Sequence, residues 1–397
     1  MKSTLVMKEN LQELTSRGLA KKWPIILGGA ALTRSFVEDD LASEFDGVVR
    51  YAKDAFEGLD LMAPLVAIAR GADPESVGLP ALKKRIYPAS QLQVTEPENM
   101  PERSDVASDN PVFQPPFWGT RIVKGFALSD YAAFLDERAT FMGQWGLKPG
   151  RGDGGKSYEE LVETEGRPRL RYWIDRLLAE KALDPAVVYG YFPVVSEGNE
   201  VVVLHHGNDP EGVLGAKGLL APDGGSGGEV ATERLRFSFP RQRRDRHLCL
   251  ADFVKSRESG QVDVMAFQLV TMGENIDTVA QTLFAKDSYR DYLELNGLAM
   301  QLTEALAEYW HAQIRQEWGF GSEDPADLSD LLGVKYRGAR FSLGYPACPE
   351  MEDRKKVVEL LNPGRIGVEL SDELQLHPEQ STDAFVFHHP EAKYFSV

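Results

Sequence analysis

Apolar positions three and four apart, set among charges, predict a helix over residues 6–17, with Val6, Leu11 and Leu14 on one face and Gly18 as C-cap. Residues 24–27 form a short unbroken apolar run that ends at Gly28-Gly29, the pattern of a strand buried on both faces in a parallel sheet. Helical spacing returns over residues 33–45, a second strand is expected at 47–51, and a third helix at 56–70. Such alternation implies βαβ units. Two strands are too few for a self-sufficient parallel sheet, so the chain is expected to begin inside a domain whose first strands are missing.

Residues 71–116 lose all periodicity in Pro, Glu, Ser, Asp and Asn, apart from a basic clip at Lys83-Lys84-Arg85, and have the composition of a linker. Two further stretches, 148–156 and 221–228, are glycine-punctuated loops. Beyond residue 117 the pattern changes. Helices are predicted over 131–145, 170–180 and 298–316, and strands over 187–193, 201–205, 234–239 and 262–270. Strands grouped apart from long helices predict an α+β domain with an antiparallel sheet.

Composition narrows the function. With 61 acidic against 44 basic residues and a net charge of −17, the chain lacks the basic footprint that nucleic acid demands. No apolar run is long enough to span a membrane, and residues 1–9 do not read as a signal peptide, so a soluble cytoplasmic protein is expected. The two cysteines, Cys249 and Cys348, suggest neither a disulfide framework nor a zinc site.

Four places could carry chemistry. Gly28-Gly29 sits between a strand and a helix, either as a tight turn or where backbone approaches an anionic ligand. The segment 340–349 holds Arg340, Tyr345 and two prolines, which preclude regular structure there. It is either a proline-rich corner or a loop that binds a small ligand with a carboxylate and a flat ring. Glu304, Glu308, His311 and Arg315 share one helix face, and Glu308-x-x-His311 resembles a di-iron element. Its required second copy is absent, so a solvated, salt-bridged face is expected. The basic run 241–247 is either a solvated loop or a dock for an acidic partner. The paired histidines 205–206 and 388–389 point to opposite strand faces and are given no metal role.

These residues together resemble the C-terminal part of the cobalamin-dependent methionine synthases. The run Gly344-Tyr345-Pro346-Ala347-Cys348-Pro349 and the run His389-Pro390-Glu391-Ala392-Lys393-Tyr394 carry the likeness most specifically. The resemblance implies that residues 1–70 are the second half of a flavodoxin-like cobalamin-binding domain and 71–116 a linker. It makes 117–397 an S-adenosylmethionine-binding activation domain with a twisted antiparallel sheet and helices. It further implies S-adenosylmethionine contacts at Asp136 on the first helix of that domain, Glu304, Arg340, Ser342, Gly344, Tyr345, Tyr394 and Phe395. A partial cobalamin site is implied at Ser3, Gly28 and Gly29. The cobalt-ligating Asp-x-His-x-x-Gly motif and the homocysteine and folate modules are absent, so no catalytic or metal-ligating residue is assigned. The implied role is support of reductive methylation of cob(II)alamin, with a flavodoxin or flavodoxin-like reductase as electron donor and the remaining synthase modules as partners. The rival reading is a stand-alone module that binds S-adenosylmethionine or docks a redox partner without turnover. The 241–247 run and the Lys83 clip are the expected donor contacts.

Overall fold

The computed structural model describes residues 2–28, 32, 34, 36–74, 76–79, 100–149, 155–205, 232–243, 245–395 and 397. Gly29, the Lys83-Lys84-Arg85 clip, His206, Arg244, the 221–228 loop and the side chain of Ser3 lie outside the described residues. The chain forms two compact units. The first comprises Met1–Thr95, Arg138–Arg169 and Ser288–Gly297; the second comprises Glu96–Glu137, Leu170–Asp287 and Leu298–Val397.

In the first unit, α1 (Lys2–Ser16), β1 (Ile25–Gly28), β2 (Val49–Ala52) and α2 (Ala55–Ala69) follow in order. The two strands pair in parallel, Ile25 opposite Val49 and Gly28 opposite Ala52. Leu11, Val37, Leu41, Phe45 and Val49 form one core cluster, while Ala52, Leu61 and Leu65 form another. Asp54 caps α2 by accepting from the Glu57 amide. The helix expected at 33–45 is instead a wide π turn, Phe36–Leu41, followed by a tight 3-10 turn, Ala42–Glu44. The widened turn carries Glu38 inward, where its carboxylate accepts from the Tyr51 amide at 3.2 Å and from Arg34 at 3.0 Å.

Thereafter come β3 (Gly119–Lys124), α3 (Leu128–Tyr131), α4 (Tyr158–Leu161), α5 (Arg167–Ala179), β4 (Ala186–Glu197), β5 (Glu200–Leu204), β6 (Glu233–Ser238) and β7 (Asp263–Thr271). They are followed by α6 (Asn275–Ala285), α7 (Tyr289–Glu317), α8 (Leu328–Leu332), β8 (Ala339–Phe341), α9 (Asp353–Leu361), β9 (Glu369–Leu370), β10 (Leu376–His377) and β11 (Ser381–Phe387). The expected strands thus lie in β4 to β7, and the last expected helix lies within α7. One helix expected over 131–145 is broken: α3 gives way to a 3-10 turn, Ala132–Phe134, and a π turn, Ala139–Gln144. Its apolar positions serve two cores, since Tyr131 is buried in the second unit and Phe141 and Trp145 in the first.

The second unit is built on a seven-stranded sheet in the order β6-β5-β4-β7-β11-β8, with β3 also alongside β4, and every pairing is antiparallel. Strand alternation divides β4 cleanly. Val188, Phe192 and Val194 enter a core with Phe267, Phe341, Phe385 and Leu360 of α9. Tyr189 and Tyr191 point the other way, onto α7: Tyr189 lies 4.8 Å from the Trp310 ring, and both phenols donate to Glu317 at 2.9 and 2.7 Å. Both sheet faces are therefore covered, which explains why β4 is almost wholly buried and reads as a continuous apolar run.

Residues 100–116 form no helix or strand, yet they are strapped to the second unit. Arg103 donates to the Asp252 and Val254 carbonyls, Lys255 donates to the Ser108 carbonyl, and Val106 is buried in the main core. Arg241, expected on a solvated basic run, is instead buried. Its two Nη groups grip Asp252 at 2.7 and 2.9 Å and reach the Glu102 carbonyl. Arg246 of the same run is held by Asp105 and Glu391. The reason is charge burial: Asp252 lies in the interior and needs a cation beside it. No helix among the described residues is long and apolar enough to cross a membrane.

Arg241→Ala leaves Asp252 buried without its cation, so we expect a loss of about 3–5 kcal/mol. Urea unfolding followed by circular dichroism will check this: the midpoint falls while the slope stays that of the parent.

Candidate functional site

The site is assembled from an edge strand and one long helix. In β8, Ala339 and Phe341 enter the main core, so Arg340 between them faces away from it. Gly338 makes this strand possible, because at φ +80° any Cβ would lie 2.3 Å from the Phe387 carbonyl oxygen. The prolines at 346 and 349 come after β8, so the irregular backbone expected for this segment starts only beyond Phe341. There the loop closes on itself: the Gly344 amide donates to the Cys348 carbonyl and the Cys348 amide to the Tyr345 carbonyl. Burial pushes the Cys348 thiol up to about 12, and that of Cys249 up to about 11, which makes both poor nucleophiles.

Arg340 meets α7 across this edge. Its Nη2 lies 2.8 Å from Glu304 Oε2 and its Nε 3.3 Å from Glu308 Oε2. Burial alone would lower the Arg340 pKa, but the two carboxylates outweigh it and raise it. Glu308 Oε2 also accepts from the Tyr336 phenol at 3.2 Å, whose own pKa is raised by burial and then by that carboxylate. One turn further along α7, His311 is wholly buried against the Tyr336 ring. Arg315 stacks 3.8 Å above the Tyr336 ring and holds Asp324 with Nε and Nη2 at 2.8 to 2.9 Å. The shared face of Glu304, Glu308, His311 and Arg315 is thus salt-bridged but not solvated, correcting the expectation. It lies between α7, Tyr336 and β8, and only Glu304 is substantially exposed, at 42% of its side chain. No group of three or more His, Cys, Asp or Glu side chains among the described residues is arranged to hold a metal.

Exposed aromatic rings lie in the loop after Arg340 and in the C-terminal segment. Tyr345 and Tyr394 are 58% and 53% exposed, and Tyr394 rests on Phe341 with ring centres 5.2 Å apart. Loss of hydration raises the Tyr394 phenol pKa, against the opposing pull of Arg340. Its neighbour Phe395 turns inward, 6.3 Å from both Phe341 and Phe253. Lys393 donates to the Val334 and Tyr336 carbonyls and so fixes the C-terminal segment beside Tyr336. Ser342 and Gly344 lie in the same loop, and Gly344 takes φ +94° with Met351 beneath it. Asp136, expected on a helix, is exposed in the break between Phe134 and Ala139. Phe134, two residues before it, packs on Tyr309 of α7 at 5.6 Å.

Of the cobalamin residues, only Gly28 has described surroundings. A Cβ there would meet the Ala52 carbonyl oxygen of β2 at 2.6 Å, so the neighbouring strand accounts for this glycine. Residues that sequence reasoning left without a role in the site are Tyr336, Arg315, Asp324 and Lys393. The spacing of charges along α7 was the available signal for Arg315, and the His389 to Tyr394 run already held Lys393; Tyr336 and Asp324 are brought in only by tertiary contact.

Fold and site define a class: an α+β module whose edge strand presents an arginine to a carboxylate-bearing helix, with exposed tyrosines in the loop after that strand and in the C-terminal segment. The chain belongs to the family of the vitamin B12 dependent methionine synthase activation domain, whose profile matches residues 170–397. It is 55% identical to the methionine synthase of Mycobacterium tuberculosis (strain ATCC 25618 / H37Rv) and 53% identical to that of Mycobacterium leprae (strain TN). Each alignment covers 100% of this chain and 34% of the relative, so the chain spans about a third of their length. A crystal structure of the MetH reactivation domain bound to AdoHcy superposes with a TM-score of 0.57 at 26% identity, covering 72% of this chain and 82% of that one.

The buried histidines give the protein a pH dependence. Burial holds His311 well below the ordinary imidazole range, with Arg315, Arg340 and Lys393 adding to the effect, and burial also lowers His389. The unfolded chain binds protons at these positions near pH 6.5 while the folded chain does not, so stability is full above that value and falls as pH drops below it. Urea midpoints at pH 7.5 and 5.5 will show a lower value at 5.5, and His311→Gln will narrow the gap.

Proposed function

We propose that this chain binds S-adenosylmethionine as the activation region of a B12-dependent methionine synthase and thereby serves reductive methylation of the enzyme's cobalamin. The observation that carries the reading is Arg340, held on an edge strand beside Glu304 and Glu308, with the exposed Tyr394 resting on its neighbour Phe341. Family membership and the AdoHcy-bound relative support it.

Each residue then has a task. The Arg340 guanidinium receives the ligand's carboxylate in place of the side-chain carboxylates that now occupy it. Glu304, the more exposed of those two, is free to turn to the ligand's ammonium or ribose hydroxyls, and Asp136 is assigned to the same groups. Tyr345 and Tyr394 offer ring faces to adenine and to the sulfonium, where cation–π attraction contributes about 0.5–2 kcal/mol. Phe395 backs Tyr394 from the core side, and Ser342 and Gly344 supply loop backbone. S-adenosylmethionine supplies the methyl group, and the protein's contribution is to position it, with no acid–base residue required. Gly29 and the side chain of Ser3 lie outside the described residues, and the close approach of the Ala52 carbonyl accounts for Gly28 without a ligand.

The partners in this reading are the other modules of the synthase and a flavodoxin-like electron donor. Arg241 is buried on Asp252 and cannot meet such a donor; Arg243, exposed on the same run, can.

Titration calorimetry with S-adenosylmethionine tests the assignment. Arg340→Ala is expected to abolish measurable binding, and Tyr394→Ala to weaken it about tenfold, with the circular dichroism of both variants unchanged. Parent-like affinity in Arg340→Ala would sink the reading.

A further inference from the structure

One carboxylate in the site is bound on one side and waiting on the other. Glu308 Oε2 is engaged by Arg340 and Tyr336, whereas Oε1 is buried and has no hydrogen-bond partner. Arg315 Nη1 stands 3.8 Å from it and itself has no hydrogen-bond partner. Both groups are buried, and an orphaned donor and an orphaned acceptor face each other across a gap slightly too long for a hydrogen bond. A shift of about 1 Å closes it.

That arrangement has a consequence once a ligand carboxylate reaches Arg340. Three carboxylates would then crowd one guanidinium, and like charges at such distances repel strongly in a poorly hydrated place. Glu304 can swing into solvent. Glu308, with 11% of its side chain exposed, cannot, and among the described residues the second cation within 4 Å of it is Arg315. Arg315 is already anchored to Asp324 and Tyr336, so it can receive Glu308 without moving.

Building on the assignment of Arg340 to the ligand carboxylate, we propose that Glu308 is a positioning residue that acts as the internal competitor for Arg340. It pairs with Arg340 in the free protein and transfers to Arg315 when the ligand's carboxylate binds. Affinity for amino-acid-bearing ligands is thereby set below what Arg340 alone would give, and an empty site does not hold a bare guanidinium.

The test compares two ligands on this chain by calorimetry. S-adenosylhomocysteine carries the amino-acid carboxylate; 5′-methylthioadenosine keeps the nucleoside and sulfur but lacks it. Glu308→Gln preserves shape and removes the competing charge. It is expected to tighten S-adenosylhomocysteine by about fivefold or more and to leave methylthioadenosine unchanged. Glu308→Asp retains the charge but shortens the reach to Arg340, and should give a smaller tightening in the same ligand only; it serves if the Gln variant does not fold. Unchanged or weakened S-adenosylhomocysteine binding, or equal change for both ligands, overturns the competitor role. Arg340→Ala separates the two claims. If it abolishes binding while Glu308→Gln brings no tightening, only this inference fails. If Arg340→Ala binds normally, the ligand assignment fails with it.

Discussion

A guanidinium withdrawn from water must be matched by carboxylates or cost several kcal/mol, and the face of α7 carries that obligation twice. Arg315 is fully buried and Arg340 nearly so, and between them they claim Glu304, Glu308 and Asp324. Tyr336 lies under one guanidinium and donates to the carboxylate that serves the other. The position of β8 at the sheet edge, the unbroken run of α7 and the tether from Lys393 keep these groups in register. About eight turns of unbroken helix, at 3.6 residues per turn, give the rigidity such a network needs.

The same economy of charge governs the far side of the second unit. Asp252 accepts from Arg241, from the Cys249 amide and from the Ser104 amide, so a single buried carboxylate ties a surface run, a core turn and the strap before β3. His389 donates to the Ala107 carbonyl and accepts from the Glu391 amide, which brings the C-terminal segment onto that strap. The segment that carries Tyr394 is thus fixed from two directions, by Lys393 on Tyr336 and by His389 on Ala107. An exposed tyrosine at a chain terminus is usually free; here its backbone is not.

Much of the fold was legible because its signals are local. Local patterns located β4 to β7, α1, α2 and the body of α7, whereas the cover on both faces of β4 emerged only from its packing. Helices interrupted by wide or tight turns were read as continuous, because the pattern records burial and not turn width: Tyr131, Phe141 and Trp145 all demand burial but in different cores. Short strands fared worst. β8 has three residues, too few for any periodicity to register, yet it holds Arg340.

What the sequence determined by itself was the set of chemical parts: an arginine beside a Gly-Tyr-Pro loop, carboxylates at helical spacing, aromatics near the C-terminus, and a family likeness that the whole-chain comparisons bear out. Tertiary structure decided which of these are charges in water and which are charges in the interior. Glu308, His311 and Arg315 on one face of α7 look like any solvated helix stripe until β8 and Tyr336 cover them, and Arg241 looks like a basic surface until Asp252 is found beneath it. Spacing along a chain sets which side chains share a face; only packing removes the water, and removing the water turns a weak surface pair into an obligate one.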